Sequence, residues 1–197
     1  ALEAAPELGP CALEQASPAT VAAVDDGNLL LLDDGRTAVL AGLDFPSGGQ
    51  PQADARRRLS ELAVGGVAFV QPLRDGPDRW ERSPVAIFVT AREGEDTRLV
   101  SLGAALLDAG AARYRPDPLA APCAGAYRTA EAEARRAGRG IWADPAFQPI
   151  DANSPAAAKL LLQRKGFTLV SGVIRSEGES RNGASYLNFG EKRMENF

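Results

Sequence analysis

Apolar residues in this chain fall in short runs punctuated by glycine and aspartate. Thr20 to Val24 leads to Asp25-Asp26-Gly27, and the run Leu29 to Leu32 follows. After Asp33-Asp34-Gly35-Arg36 comes a second run, Thr37 to Leu43. Two short apolar runs around an Asp-Asp-Gly turn predict a β-hairpin. Consecutive leucines also suit a helix, but the flanking glycines and the short length favour strand. Between Ala53 and Val64 the period changes: Ala55, Leu59 and Leu62 recur at helical spacing, and Gly65-Gly66 stops the pattern. Val67 to Gln71 and Val85 to Thr90 predict strands on either side of the polar stretch Arg74 to Ser83. Leu99 to Ala109 predicts a helix ended by Gly110, and Ala124 to Ala137 another ended by Gly138.

Strands, a helix, strands and helices in that order indicate an α+β, mainly β domain over residues 19–145. Residues 1–18, with Pro6, Pro10 and Pro18, read as an extended lead-in, and 146–158 as a linker. Residues 159–197 read as a small C-terminal β extension. A short helix is expected over Ala156 to Arg164, then a hairpin of Phe167 to Arg175 with Ala184 to Phe189 around Gly178 to Gly183. Two strands alone are marginal, so this tail either packs on the main domain or begins a unit that is cut short.

A composition of 45% hydrophobic and 24% charged residues fits a globular protein. No apolar stretch approaches the roughly 18 residues of a transmembrane helix. The net charge of −4 is uneven: residues 1–150 carry 15 basic against 21 acidic side chains, and residues 151–197 carry 7 against 5. An acidic main domain exerts no general pull on nucleic acid, which argues mildly against such a partner. The first residue is Ala1 and the only methionine is Met194. The expectation is a processed chain from which a secretory signal has been removed, hence periplasmic or secreted. Cys11 and Cys123 allow one disulfide, which would close a loop of about 110 residues and add about 4 kcal/mol; the alternative is two buried thiols. Two cysteines and no histidine exclude an ordinary zinc site.

Five strings carry a resemblance. Val24-Asp25-Asp26-Gly27-Asn28-Leu29 is followed by Asp34-Gly35-Arg36, then by Leu40-Ala41-Gly42-Leu43-Asp44-Phe45-Pro46. Asp78-Arg79-Trp80-Glu81-Arg82 comes later, and Ala130-Glu131-Ala132-Glu133-Ala134-Arg135 runs on to Gly140-Ile141-Trp142. Over about residues 20–144 this order resembles the staphylococcal nuclease (thermonuclease) family, with its Asp-Gly-Asp-Thr, Asp-Thr-Pro-Glu, Asp-x-Tyr-Gly-Arg and terminal Gly-x-Trp patterns. Tyr186-Leu187-Asn188-Phe189-Gly190 is similar to a string in bacterial relatives that append a β extension. The resemblance implies a five-stranded OB-fold barrel with about three helices. In active members it implies calcium-dependent hydrolysis of DNA and RNA by two metal aspartates, a glutamate near the attacking water and two arginines on the phosphate.

Matched position by position, most of that set is replaced. Asp44 falls on the second metal aspartate and Arg82 on the second arginine. The first metal aspartate falls on Asn28, a neutral amide; the first arginine on Val39, which cannot donate; and the glutamate on Ser47, which is no base at neutral pH. Leu29 and Phe45 replace two threonines, and Trp80 stands at the tyrosine, where its ring could stack on a planar ligand. Arg36, three residues from Val39, should face the other side of the sheet. Asp26 and Asp54 are the remaining carboxylates to weigh as compensation. Each residue also has an ordinary reading: Asp44 as a turn residue before Pro46, Arg82 as an ion-pair partner, Trp80 as a surface aromatic and Arg56-Arg57-Arg58 as a wet helix face.

Loss of one phosphate arginine alone costs about 10³ to 10⁵ in rate. The resemblance therefore implies a pseudonuclease, a binding or structural module needing no cofactor, or at most holding residual calcium. Its partner would be an unidentified protein or a weakly bound nucleic acid. A divergent phosphodiesterase using Asp44, Arg82 and a relocated carboxylate is the enzymatic alternative, and an accessory subunit of a cell-envelope assembly the third.

Overall fold

The computed structural model describes residues 11, 16–93, 96–164 and 166–189. Of the lead-in, residues 1–10 and 12–15 lie outside the described residues, as do 190–197 of the C-terminal extension. The chain forms two compact units, Ala1–Ala143 and Asp144–Phe197.

In the first unit β1 (Ser17–Val24) starts before the apolar alternation does, because it serves two neighbours. Ser17 to Thr20 pair antiparallel with β5, and Val21 to Val24 with β2 across a register break between Val21 and Ala23. Such a break lets one strand bend from one partner to the next. The turn into β2 (Leu30–Leu32) is fixed by Asp25, whose Oδ1 accepts the N–H groups of Gly27 and Leu29, each at 2.8 Å. The expected hairpin forms between β2 and β3 (Thr37–Leu40), but the run Thr37 to Leu43 is broken at Ala41-Gly42. Leu43–Asp44 is a separate short strand, β4.

The helix α1 (Gly49–Ala63) buries Ala55 and Leu59 as the spacing predicts, while the third buried position is Ala63 and the expected Leu62 is only half-buried. β5 (Val67–Pro72), β6 (Arg82–Glu93) and β7 (Asp96–Ser101) follow as antiparallel neighbours. The parallel pairing of β3 with β6 closes β1, β2, β3, β5 and β6 into a five-stranded barrel. Its inward side chains include Val21, Leu30, Ala38, Leu40, Val70, Val85 and Ile87, all buried. Full closure removes the open edges of such a sheet.

Leu99 to Ser101 do not begin a helix as expected. They finish β7, opposite Thr90 to Phe88, and Ser101 then caps α2 (Leu102–Asp108) by accepting the Ala104 N–H. Leu99 and Val100 carry helix and strand patterns alike. β8 (Arg113–Tyr114) pairs with β4, and a 3-10 segment, Pro118–Cys123, leads into α3 (Ala124–Ala137). Helices α2 and α3 meet closely at Gly103, where a Cβ would stand 2.3 Å from the Tyr127 hydroxyl oxygen. Cys11 and Cys123 form a disulfide with Cα atoms 4.6 Å apart, and both residues are buried.

The second unit contains β9 (Ile150–Asp151), α4 (Ala157–Gln163) and β10 (Val170–Ser171), which pairs parallel with β9. Its hairpin joins β11 (Ser176–Glu179) to β12 (Ser185–Asn188). The first hairpin strand lies beyond the expected Phe167 to Arg175. Asn153 explains the shift: its side chain accepts the Val173 N–H at 2.6 Å and donates to the carbonyls of Val173 and Phe189. Those backbone groups are thereby withdrawn from strand pairing.

Candidate functional site

Around Asp78 the chain folds into a tight corner. The Asp78 carboxylate accepts the backbone N–H groups of Trp80 at 2.9 Å and Arg82 at 3.0 Å. It also accepts the Arg82 guanidinium twice, Nε at 2.9 Å and Nη2 at 2.7 Å. The Arg82 guanidinium pulls the Asp78 carboxyl down to a pKa of about 2. Glu81 closes the corner at φ 59, a left-handed conformation uncommon outside glycine. Trp80 is 58% exposed, with the guanidinium carbons of Arg79 and Arg82 at 3.9 and 4.6 Å from its ring centroid.

Arg82 is the first residue of β6 and lies opposite Thr37, while Val39 lies opposite Pro84. Residues two apart share a strand face, so Val39 and Arg82 project from the same side of the β3–β6 pair. Val39 brings no donor there.

Asp44 takes a different partner. β4 and β8 place it directly opposite Arg113, whose Nη2 and Nε reach its Oδ2 at 2.6 and 3.1 Å. The two side chains are only 19% and 11% exposed. From α3 the buried Glu131 accepts the Tyr114 N–H at 2.8 Å, which pins β8 one residue from Arg113. Tyr114 and Tyr127 pack edge to face with centroids 6.0 Å apart. Burial pushes the Glu131 carboxyl up, opposed by that hydrogen bond and by the charges of Arg135 and Arg113. Arg113 was not among the residues singled out from the sequence. No local pattern links it to an aspartate 69 positions away.

Asn28 is 4% exposed and left-handed at φ 61, and its Oδ1 is buried with no hydrogen-bond partner. A neutral buried oxygen of this kind carries a desolvation cost but no charge to hold a cation. Ser47 is exposed in the turn before α1. The carboxylates weighed as compensation already have partners. Asp26 pairs with Arg56, and its carbonyl accepts Gln52 Nε2 at 2.7 Å, beside an open depression of about 320 Å³ lined by Asp26, Gly49, Gln52, Ala53 and Arg56. Asp54 accepts Gln50 at 2.8 Å and pairs with Arg57 at 2.7 Å along α1. Arg36 pairs with Asp34 in its own turn at 2.6 Å.

Among the described residues no group of three or more His, Cys, Asp or Glu is placed to hold a metal ion. Among them no helix is long and apolar enough to cross a membrane. The protein is thus of the closed-barrel α+β class, compatible with an OB-fold, with a small second unit that ends in a β-hairpin. No family model matches the chain, and no curated protein matches it.

Proposed function

We propose that this chain is a staphylococcal-nuclease-like barrel that has lost calcium-dependent nuclease activity and serves as a binding or structural module. The observation that carries the proposal is the fate of the two matching polar residues. Asp44 spends its charge on Arg113, and Arg82 spends its fork on Asp78. Phosphoryl transfer needs positioned, unspent charge facing the substrate. Here the remaining aspartate and the remaining arginine are committed to the protein itself, while Asn28, Val39 and Ser47 supply neither charge nor base. Two details of the corner support the family likeness: Glu81 stands where the family pattern has glycine and retains a left-handed φ, and Trp80 stands at the tyrosine.

A binding role for the module rests on Trp80, an exposed ring flanked by two guanidiniums, which suits weak stacking against a planar ligand or a protein surface. A periplasmic or secreted setting is supported by the Cys11–Cys123 disulfide, since such bonds persist in oxidising compartments. The test is to incubate the purified protein with single-stranded DNA and calcium. The expected result is intact DNA; degradation abolished by Arg82→Ala would overturn the proposal.

A further inference from the structure

The hairpin of the second unit turns on a reactive dipeptide. Asn182 alone among the asparagines of the chain is followed by glycine, and asparagine is one of the thermally labile side chains. Asn182 is exposed, and its carboxamide makes no hydrogen bond among the described residues. Gly183 follows at φ 77, the left-handed conformation with which a three-residue hairpin loop closes. With no Cβ beside it, its nitrogen is open to approach: apart from chain neighbours, the nearest atom to the place a Cβ would take is Glu179 Oε1 at 3.9 Å. The other described asparagines lack this combination. Asn28 is buried before Leu29, the Asn153 side chain is held by the backbone of Val173 and Phe189, and Asn188 precedes Phe189 and donates to Ser176 Oγ at 2.9 Å.

A backbone nitrogen that gives up its proton can attack a free carboxamide on the preceding residue. The bond from Gly183 N to Asn182 Cγ forms, the Cγ–Nδ2 bond breaks, and the amide group takes up the proton and leaves as ammonia. Water then opens the resulting imide at either carbonyl, giving aspartate, or isoaspartate whose chain runs on through the side-chain carbons. Water is the sole co-reactant. The turn opposes the first step. Gly183 N–H donates to the Ser180 carbonyl at 2.9 Å, Ser180 N–H donates to the Ala184 carbonyl at 2.8 Å, and Ser180 Oγ accepts the Ala184 N–H at 3.0 Å. Cyclisation must break the first of these bonds, and the other two restrict the motion it needs. We infer that Asn182-Gly183 is a self-modification site, which converts spontaneously to aspartate and isoaspartate at a rate set by opening of the turn between β11 and β12. The product adds a negative charge near Glu179. As isoaspartate it also lengthens the loop by one backbone carbon, against the register that Ser180 holds, and so loosens the hairpin.

The test is to incubate the whole chain at mildly alkaline pH, in buffer and in guanidinium chloride, and to follow the peptide containing Asn182 by mass spectrometry. Exchange of an amide for an acid is read as a gain of one mass unit, and isoaspartate by enzymatic methylation. The native chain is expected to convert at Asn182, at least ~10-fold more slowly than the unfolded chain because several hydrogen bonds must open. Ser180→Ala removes the bond to Oγ and should speed native conversion about fivefold, the worth of one such bond, while leaving the unfolded rate unchanged. Asn182→Gln should abolish the mass gain. In the converted fraction the Ser180 amide should exchange faster with solvent. Native Asn182 that stays intact while the unfolded chain converts overturns the inference. Equal rates in the two conditions, a Ser180→Ala protein no faster than the wild type, or a mass gain that survives Asn182→Gln overturn it too. Unchanged exchange at Ser180 after conversion overturns the loosening of the hairpin.

Discussion

Two arginine–aspartate pairs in the barrel look alike in chemistry and differ in origin. Arg82 and Asp78 are four residues apart, joined by a fork of two hydrogen bonds, within a corner whose backbone the same carboxylate organises. Arg113 and Asp44 are joined by a similar fork, but 69 residues of chain and two different strands separate them. The Asp78 pair stands beside an exposed tryptophan, with Arg82 31% and Asp78 12% exposed, and its carboxylate spends two further hydrogen bonds on its own corner. In the Asp44 pair the arginine is the more enclosed partner, Arg113 being 11% and Asp44 19% exposed, and breaking one partner strands the other. The lesson is that a local pair shapes a turn, while a distant pair binds two parts of the fold and is costlier to lose.

That contrast can be broken from the outside in. The largest effect is expected from removing the disulfide that anchors the start of α3, the helix bearing Glu131. Cys11→Ser with Cys123→Ser should cost about 4 kcal/mol, read by chemical denaturation. Amide exchange should speed up at Tyr114 before it does at Trp80 or Arg82. Equal loosening at both pairs would show that the disulfide gives no preferential support to β8. Next comes Arg113→Ala, which should lower stability by about 2 kcal/mol. Asp78→Ala should lower it by less and act mainly on Trp80 fluorescence. If Asp78→Ala proves the more damaging, the ranking by sequence separation is wrong.

Acid separates the two regions by sign. The Asp78 carboxyl is depressed from 3.8 to about 2, so its contribution is full above pH 3.8 and is lost as the pH falls towards about 2. Glu131 runs the other way: its folded pKa is raised above 4.5, so its contribution is full below pH 4.5 and is lost as the pH rises through the folded value. Carboxyl titration by NMR on Asp78→Asn and Glu131→Gln, together with their acid-unfolding curves, checks both signs. A Glu131→Gln protein with the wild-type pH profile between pH 4.5 and neutrality would remove Glu131 from the account. The smallest expected change is that of Arg82→Lys. It keeps the charge and loses the fork, should move stability by no more than about 0.5 kcal/mol, and should shift Trp80 emission. A large stability loss there would mean that the corner holds the barrel together.

Much of this architecture was legible because it depends on short-range rules. The Asp-Asp-Gly turns, the helical spacing of Ala55 and Leu59 and the glycine stops of α1 and α3 each fixed an element within a few residues. Where local patterns conflicted, pairing decided the outcome. Leu99 to Ser101 became strand because β6 offered backbone partners across from them. Val173 left the expected hairpin because Asn153, 20 residues earlier, took its N–H and carbonyl. The candidate site divides in the same way. The replacements Asn28, Val39 and Ser47 were visible in the sequence, since a missing charge is a property of the residue itself. The engagement of Asp44 was not, because a cross-strand ion pair exists only when the barrel brings β4 and β8 together. The sequence by itself determined which charges this protein has to spend; only the tertiary structure decided on whom they are spent, because partners at 69 residues' separation are chosen by packing and strand register rather than by neighbouring residues.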